Sequence, residues 1–217
     1  MSNPKLALSL FMNSDDFKKT YGQFDIAGGF FNGTENGAQS ANTNIIFDVY
    51  NKTDDGGGVT KFEIQNSNGD WQQKKDIKDP STISQDSKAR ITFFVNPKQL
   101  GNDKVKIADT YNHEANVHGT PFLKTLDVLR NKGGSEFMKE WKYSSSSATN
   151  RANIPSRYNG TYGHAEAALG LNANYNNTGA QIRNQLAPAE KKRYDAIIRN
   201  NPNFYREDII NYNKVPR

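Results

Sequence analysis

The chain has 217 residues, a formal net charge of +5 and no cysteine. This length allows one large domain or two small ones and a core that needs no cross-links. The absence of cysteine excludes disulfides, thiolate metal sites and cysteine nucleophiles, so any metal must be held by His, Asp or Glu. The excess of basic residues, with a pI of about 9.2, indicates a solvated basic surface more than a nucleic-acid-binding face.

The N-terminal residues 1–12 lack the basic start and the long apolar stretch of a signal peptide. No apolar run in the chain reaches the roughly 18 residues that a transmembrane helix needs, so we expect no membrane insertion. If the chain is exported, a signal elsewhere or a dedicated secretion machine has to carry it.

Ser14, which precedes Asp15 and Asp16, is typical of a helix N-cap with acids in the first turn.

The first hundred residues are predicted to be rich in strands. Strands are expected where β-branched and aromatic residues cluster between turn-forming residues. The predicted strands are 44–50, 59–65, a short one from Trp71, and 90–96. The glycine-rich turn at 52–58 predicts that the strands on either side of it pair as a β-hairpin.

Helices are predicted from residue 101 onward, because apolar residues recur there at steps of three and four. The predicted helices are 103–118, 122–131, 135–143, 164–171 and 187–198. Gly119–Pro121 is predicted to end the first of them, and 144–163 and 172–178 are predicted polar loops. The resulting fold class is α+β, in a single domain over 1–217 with a β-rich subregion 1–100 and a helical subregion 101–217.

Residues 113–118 read H-E-A-N-V-H, which has the form H-E-x-x-x-H and contains two of the three histidines in the chain. A catalytic zinc site needs three ligands and a carboxylate that handles the attacking water. We therefore predict that His113 and His118 bind zinc and that Glu114 is the general base. The third ligand is predicted to be His164, with Glu166 as the alternative, since both open the later helix 164–171.

The spacing of the two histidines sets a condition on the backbone. Residues four apart lie about 40° apart around an ideal α-helix, whereas residues five apart lie about 140° apart. His113 and His118 can therefore bind one ion only if the helix takes up an extra residue as a π-bulge or loosens at its end. Asn116, a poor helix former, marks a candidate position for the bulge. An oxyanion partner is sought among Tyr111, Tyr158 and Tyr162.

The segment 110–120, T-Y-N-H-E-A-N-V-H-G-T, resembles two groups of zincin-like metallopeptidases. Its hexapeptide is similar to that of zincin dipeptidyl peptidases, which take a later Glu as third ligand. The whole segment is similar to metallopeptidase domains at the C-termini of bacterial Rhs-type polymorphic toxins, in which an H-x-E-like segment follows, as His164–Glu166 does here. The resemblance covers about 104–180 and does not extend to 1–100.

The resemblance implies a toxin domain that a bacterial secretion system, such as type VI, delivers into a target cell. It further implies a protein substrate in that cell and an immunity protein that blocks the toxin. Two other functions stay open: a metal-dependent nuclease that uses His113, Asn116 and His118, and a non-enzymatic binding module that uses the polar loops. The same hexapeptide is also compatible with an ordinary helix whose histidines bind nothing.

Overall fold

The structure is a computed structural model that describes residues 2–22, 24–27, 42–51, 56–73, 76–140 and 173–199. Within these ranges the fold is α+β, as predicted from the sequence. One mixed sheet is built from the N-terminal half, and the C-terminal half is helical. The predicted loop 144–163 and the predicted helix 164–171 lie outside the described residues.

The described part of the chain forms a five-stranded sheet in the order β1-β2-β5-β3-β4. The strands are β1 (Asp25–Ala27), β2 (Thr43–Val49), β3 (Gly58–Gln65), β4 (Trp71–Gln73) and β5 (Ala89–Val95). Strands β1, β2 and β5 run parallel, whereas β3 runs antiparallel to both β5 and β4.

The predicted hairpin between β2 and β3 is wrong, because β5 lies between these two strands. Five of the seven residues of β5 are buried. A strand this apolar gains most at the centre of a sheet, where both of its edges are paired and its side chains are covered. The local turn pattern therefore predicted the strands themselves but not which strands pair.

The helices are α1 (Asn3–Met12), α2 (Asp15–Tyr21), α3 (Lys104–Asn112), α4 (Thr120–Lys132), α5 (134–140), α6 (Ala173–Asn184) and α7 (Pro188–Arg199). Ser14 caps α2 as predicted, since its hydroxyl accepts a hydrogen bond from the Phe17 N–H over 3.2 Å. The predicted helix 103–118 does not end at Gly119–Pro121 as expected. It continues into α4, with Pro121 in the first turn, where the missing N–H costs least.

The prediction of a loop at 172–178 is wrong from Ala173 onward, since α6 begins there. The asparagines of this stretch disfavour a helix on their own. Tyr175 and Thr178, however, are almost fully buried, and tertiary packing of this kind commonly outweighs weak helix propensity.

The core lies between the sheet and the helices. Phe47 on β2 and Phe93 on β5 have ring centroids 5.2 Å apart. Tyr21 on α2 packs edge-on against Phe93 at 5.8 Å, and Tyr111 on α3 packs edge-on against Phe47 at 5.7 Å. These contacts hold the C-terminal end of α3 against the sheet. Among the described residues, no helix combines the length and the apolar character needed to cross a membrane.

Candidate metal centre

The long helix that starts at Lys104 changes its hydrogen-bond pattern at the hexapeptide. Residues His113–Gly119 form a π-helix, hereafter the π segment, between α3 and α4. In a π-helix each N–H bonds to the carbonyl five residues back, so residues five apart lie on the same side. The N–H of Thr120 still follows this pattern and donates to the carbonyl of Ala115. The sequence analysis required one extra residue in the helical turn between the two histidines. The π segment provides it, and the π geometry extends over seven residues.

The π segment brings three potential ligands together. One ligand atom each from His113, Glu114 and His118 lies within 4.8 Å of the others. The two imidazole rings have centroids 5.1 Å apart and planes at 78°. Two nitrogen ligands of a tetrahedral zinc ion stand roughly 3.4 Å apart, given Zn–N bonds of about 2.0–2.1 Å. The cluster is therefore close to the size that such an ion needs.

The carboxylate of Glu114 is buried, with only 5% of the residue exposed. Oγ1 of Thr60, on β3, donates a hydrogen bond to Oε2 of Glu114 over 2.6 Å and also lies 3.1 Å from the Glu114 carbonyl oxygen. Burial raises the pKa of Glu114 to about 7, while the hydrogen bond from Thr60 acts in the opposite direction. A carboxyl group with a pKa near neutrality suits a general base.

Gly58 makes room for Glu114 against the sheet. A Cβ atom at this position would lie 2.8 Å from Oε1 of Glu114 and 2.5 Å from Cγ2 of Thr110. Both distances are far shorter than van der Waals contact, so a side chain here would displace one or both groups. The sequence did not indicate this role, because the glycines at 56–58 predicted only a turn.

Helix α2 and strand β5 also contact the π segment, at Ala115 and at Gly119. The hydroxyl of Tyr21 donates a hydrogen bond to the carbonyl of Ala115, and burial raises the pKa of Tyr21 above its ordinary value. A Cβ atom on Gly119 would lie 2.5 Å from both Cζ of Phe93 and the Tyr21 hydroxyl oxygen. The lack of a side chain at 119 thus allows the helix to approach the sheet closely, which the sequence did not indicate.

The buried side-chain amides of two asparagines, one at the end of α3 and one in the π segment, form hydrogen bonds to α6. Nδ2 of Asn116 donates to Oδ1 of Asn112 over 2.8 Å and to Oγ1 of Thr178 over 3.2 Å. Nδ2 of Asn112 donates to the carbonyl oxygen of Tyr175 over 3.0 Å. We call this set, Asn112, Asn116, Tyr175 and Thr178, the asparagine bridge. Asn116 was singled out in the sequence as a poor helix former, and its partners on α6 were not foreseen.

The other predicted site residues are the candidate third ligands and the candidate oxyanion partners. His164, Glu166, Tyr158 and Tyr162 lie outside the described residues. Tyr111 is 0% exposed, and burial, together with the charge of Asp48, raises its pKa. Tyr111 is thus a core residue and not a group that contacts a substrate.

Comparisons with known proteins gave no match to a protein-family model, a curated protein or a solved structure.

Proposed function

We propose that the chain is a zinc-dependent peptidase. His113 and His118 bind the ion together with a third ligand, His164 or alternatively Glu166, and Glu114 is the general base. The observation that supports this most is the π segment, which brings the ligand atoms of His113, Glu114 and His118 within 4.8 Å of one another. A helical turn that departs from α geometry at the residues with this chemistry is a feature often found at functional sites.

The roles follow from the chemistry of the groups. Zinc, when bound, polarises the scissile carbonyl and lowers the pKa of water. Glu114 would accept the proton of that water and pass it to the leaving amine. Thr60 holds Oε2 in place, so the carboxylate keeps one orientation while the proton is transferred.

The sheet offers a place for a peptide beside Glu114. The N–H of Asn96 donates to the Gly57 carbonyl, and the N–H of Gln65 donates to the Lys88 carbonyl. Positions 57 and 65 therefore form hydrogen bonds across the ladder with β5. Because these bonds alternate along an antiparallel strand, the even-numbered residues of β3 direct their backbone groups away from β5. Strand β4 pairs only with 63–65. Among the described residues, the backbone of Gly58 and Thr60 therefore has no strand partner on that side. An extended peptide that adds there as a further strand would lie next to Glu114.

The likeness to polymorphic-toxin peptidases extends the proposal to a biological setting. It suggests delivery into a target cell, cleavage of a protein there and inhibition by an immunity protein. This part of the proposal rests on the resemblance of the segment 110–120 alone.

The test combines metal content with a search for new peptide ends. The purified protein is incubated with a bacterial lysate, and newly formed peptide N-termini are identified by mass spectrometry. Glu114→Gln should keep the metal and lose cleavage by at least about 100-fold, since general base catalysis contributes that much. His118→Ala should lose the metal. Unchanged metal stoichiometry in His118→Ala would refute the site, and degraded DNA or RNA with no new peptide ends would favour the nuclease.

A further inference from the structure

Two asparagines with amides hidden from water lie at the end of α3 and in the π segment. Asn112 and Asn116 are 0% and 1% exposed. Buried amides need hydrogen-bond partners inside the protein, because leaving them unsatisfied is costly. Asparagine is also a poor helix former, so neither residue is explained by helix propensity. Their partners should therefore influence which helical geometry this part of the chain adopts.

The partners form a continuous connection to α6. The asparagine bridge runs from Asn112 to Asn116 across one turn and reaches α6 at the Tyr175 carbonyl and the Thr178 hydroxyl. Thr178 is itself 0% exposed, so water cannot replace it as the partner of Asn116. The bridge is thus a set of direct hydrogen bonds between two elements that lie 62 residues apart at the Asn116–Thr178 contact.

Helix α6 also contacts the residues around His113 directly. The Tyr175 ring is perpendicular to the His113 imidazole, with centroids 6.1 Å apart. Tyr175 also packs with Val117 in a small buried apolar cluster, and its hydroxyl donates to Oδ1 of Asp109 over 3.4 Å. Helix α6 therefore contacts α3 at Asp109 and the π segment at His113 and Val117.

We propose that Asn116 and Thr178 are positioning residues of the metal centre. By joining the π segment to α6 they keep His113 and His118 on the same side of the helix, although neither residue contacts the metal. Groups that orient ligands in this way typically change metal affinity by about 10- to 100-fold when removed. The inference rests on the metal site proposed above and adds that metal affinity depends on α6, which lies far from the hexapeptide in sequence.

Cobalt(II) titration of the full chain tests this inference, because the visible absorption of the bound ion reports its coordination geometry. Thr178→Val removes one of the two acceptors of the Asn116 amide, together with the hydrogen bond between Thr178 and Asp16, and keeps the shape of the side chain. Its cobalt affinity should fall at least about tenfold, with a changed visible spectrum. Thr178→Ser, which keeps the hydroxyl, should restore both. Thr125→Val is the matched control, because Thr125 is a buried helical threonine, 1% exposed, outside the asparagine bridge.

The possible results separate this inference from the proposed metal site. If wild-type protein binds no cobalt, the metal site and the positioning roles are both refuted. If the wild type and Thr178→Val bind cobalt with the same affinity and spectrum, only the positioning role is refuted. An equal loss in Thr125→Val would mean a general effect of reduced stability and would also refute it. If Thr178→Val does not fold, Asn116→Ala removes the amide at no cost in helix propensity and is judged by the same criteria.

Discussion

Oγ1 of Thr60 and Oε2 of Glu114 are joined by a hydrogen bond of 2.6 Å, although the two residues lie 54 positions apart in the chain. The bond connects strand β3 to the π segment at the Glu114 carboxylate of the candidate metal centre. Glu114 is therefore oriented by the sheet as well as by its own helix. This double support is what a proton-transferring group needs if it is to act in one fixed orientation.

Thr60→Val should destabilise the protein. The substitution leaves a buried carboxylate without its donor, and the loss of such a partner costs about 1–3 kcal/mol. Urea denaturation of chelator-treated protein at pH 8, where Glu114 is mostly ionised, measures the effect. Thr60→Ser keeps the hydroxyl and should stay close to wild type. A Thr60→Val midpoint equal to that of wild type would mean that the hydrogen bond contributes nothing.

Gly58→Ala should displace the Glu114 carboxylate. The added methyl group would lie 2.8 Å from Oε1 of Glu114, and overpacking of this kind typically costs about 1–3 kcal/mol. We expect a lower denaturation midpoint and strongly reduced peptide cleavage, with cobalt still bound through the histidines. Gly56→Ala is the control, since its Cβ would meet only the Gly58 carbonyl oxygen, at 3.9 Å. Equal behaviour of the two variants would contradict the close approach.

The stability of the sheet should depend on pH through Glu63. Burial raises the pKa of Glu63, but hydrogen bonds and charge from Arg90 and Lys61 outweigh it and leave the pKa below its ordinary value. A lowered carboxyl pKa stabilises the fold above the pKa of the unfolded chain, near 4.3, and this stabilisation is lost as pH falls through the folded-state pKa.

Glu63→Gln should therefore lower the free energy of unfolding by about 1 kcal/mol at pH 7, after allowance for the partly exposed cations. The difference from wild type should shrink as the pH is lowered from about 5 to 3, as followed by thermal denaturation. Glu136→Gln, which breaks the solvent-exposed pair with Lys139, should have little effect at any of these pH values. A Glu63→Gln difference that stays constant with pH would contradict the assignment.

His164→Ala should weaken zinc binding, and Glu166→Gln should not. Imidazole is the commonest protein ligand for zinc, and the two residues are too close in sequence for both to reach the ion from one helix. Competition with a chromogenic chelator measures the affinity of each variant. The opposite result would make Glu166 the third ligand, and two variants with wild-type affinity would place the third ligand elsewhere.

Local sequence patterns predicted β2 to β5 and most helices of the described chain, because alternation, turns and caps act between neighbouring residues, but they did not predict β1. Ser14 and the apolar run of β5 are examples. The spacing of His113 and His118 also indicated that the helix between them could not be purely α-helical. All of these signals act between residues of the same helix, strand or turn.

The contacts between distant elements could not be predicted in this way. Thr60, Gly58 and Thr178 each act on the π segment only because the strand order and the packing of α6 bring them to it. The same limitation explains why the predicted hairpin is wrong. Strands β2 and β3 each pair with β5, which appears later in the chain, and not with each other. No local feature of the sequence marks these residues as members of one site.

The central position of β5 also has a consequence for how the chain folds. During synthesis β1 to β4 emerge before β5, so β2 can pair with β1 and β3 with β4, but these two parts of the sheet cannot join until residues 89–95 are available. The sheet therefore closes late, through contacts that span long loops, and such contacts slow folding. Until then the edges of β2 and β3 that face β5 in the native sheet are open to pairing with other chains. A chain truncated before residue 89 should accordingly aggregate instead of forming a smaller native sheet.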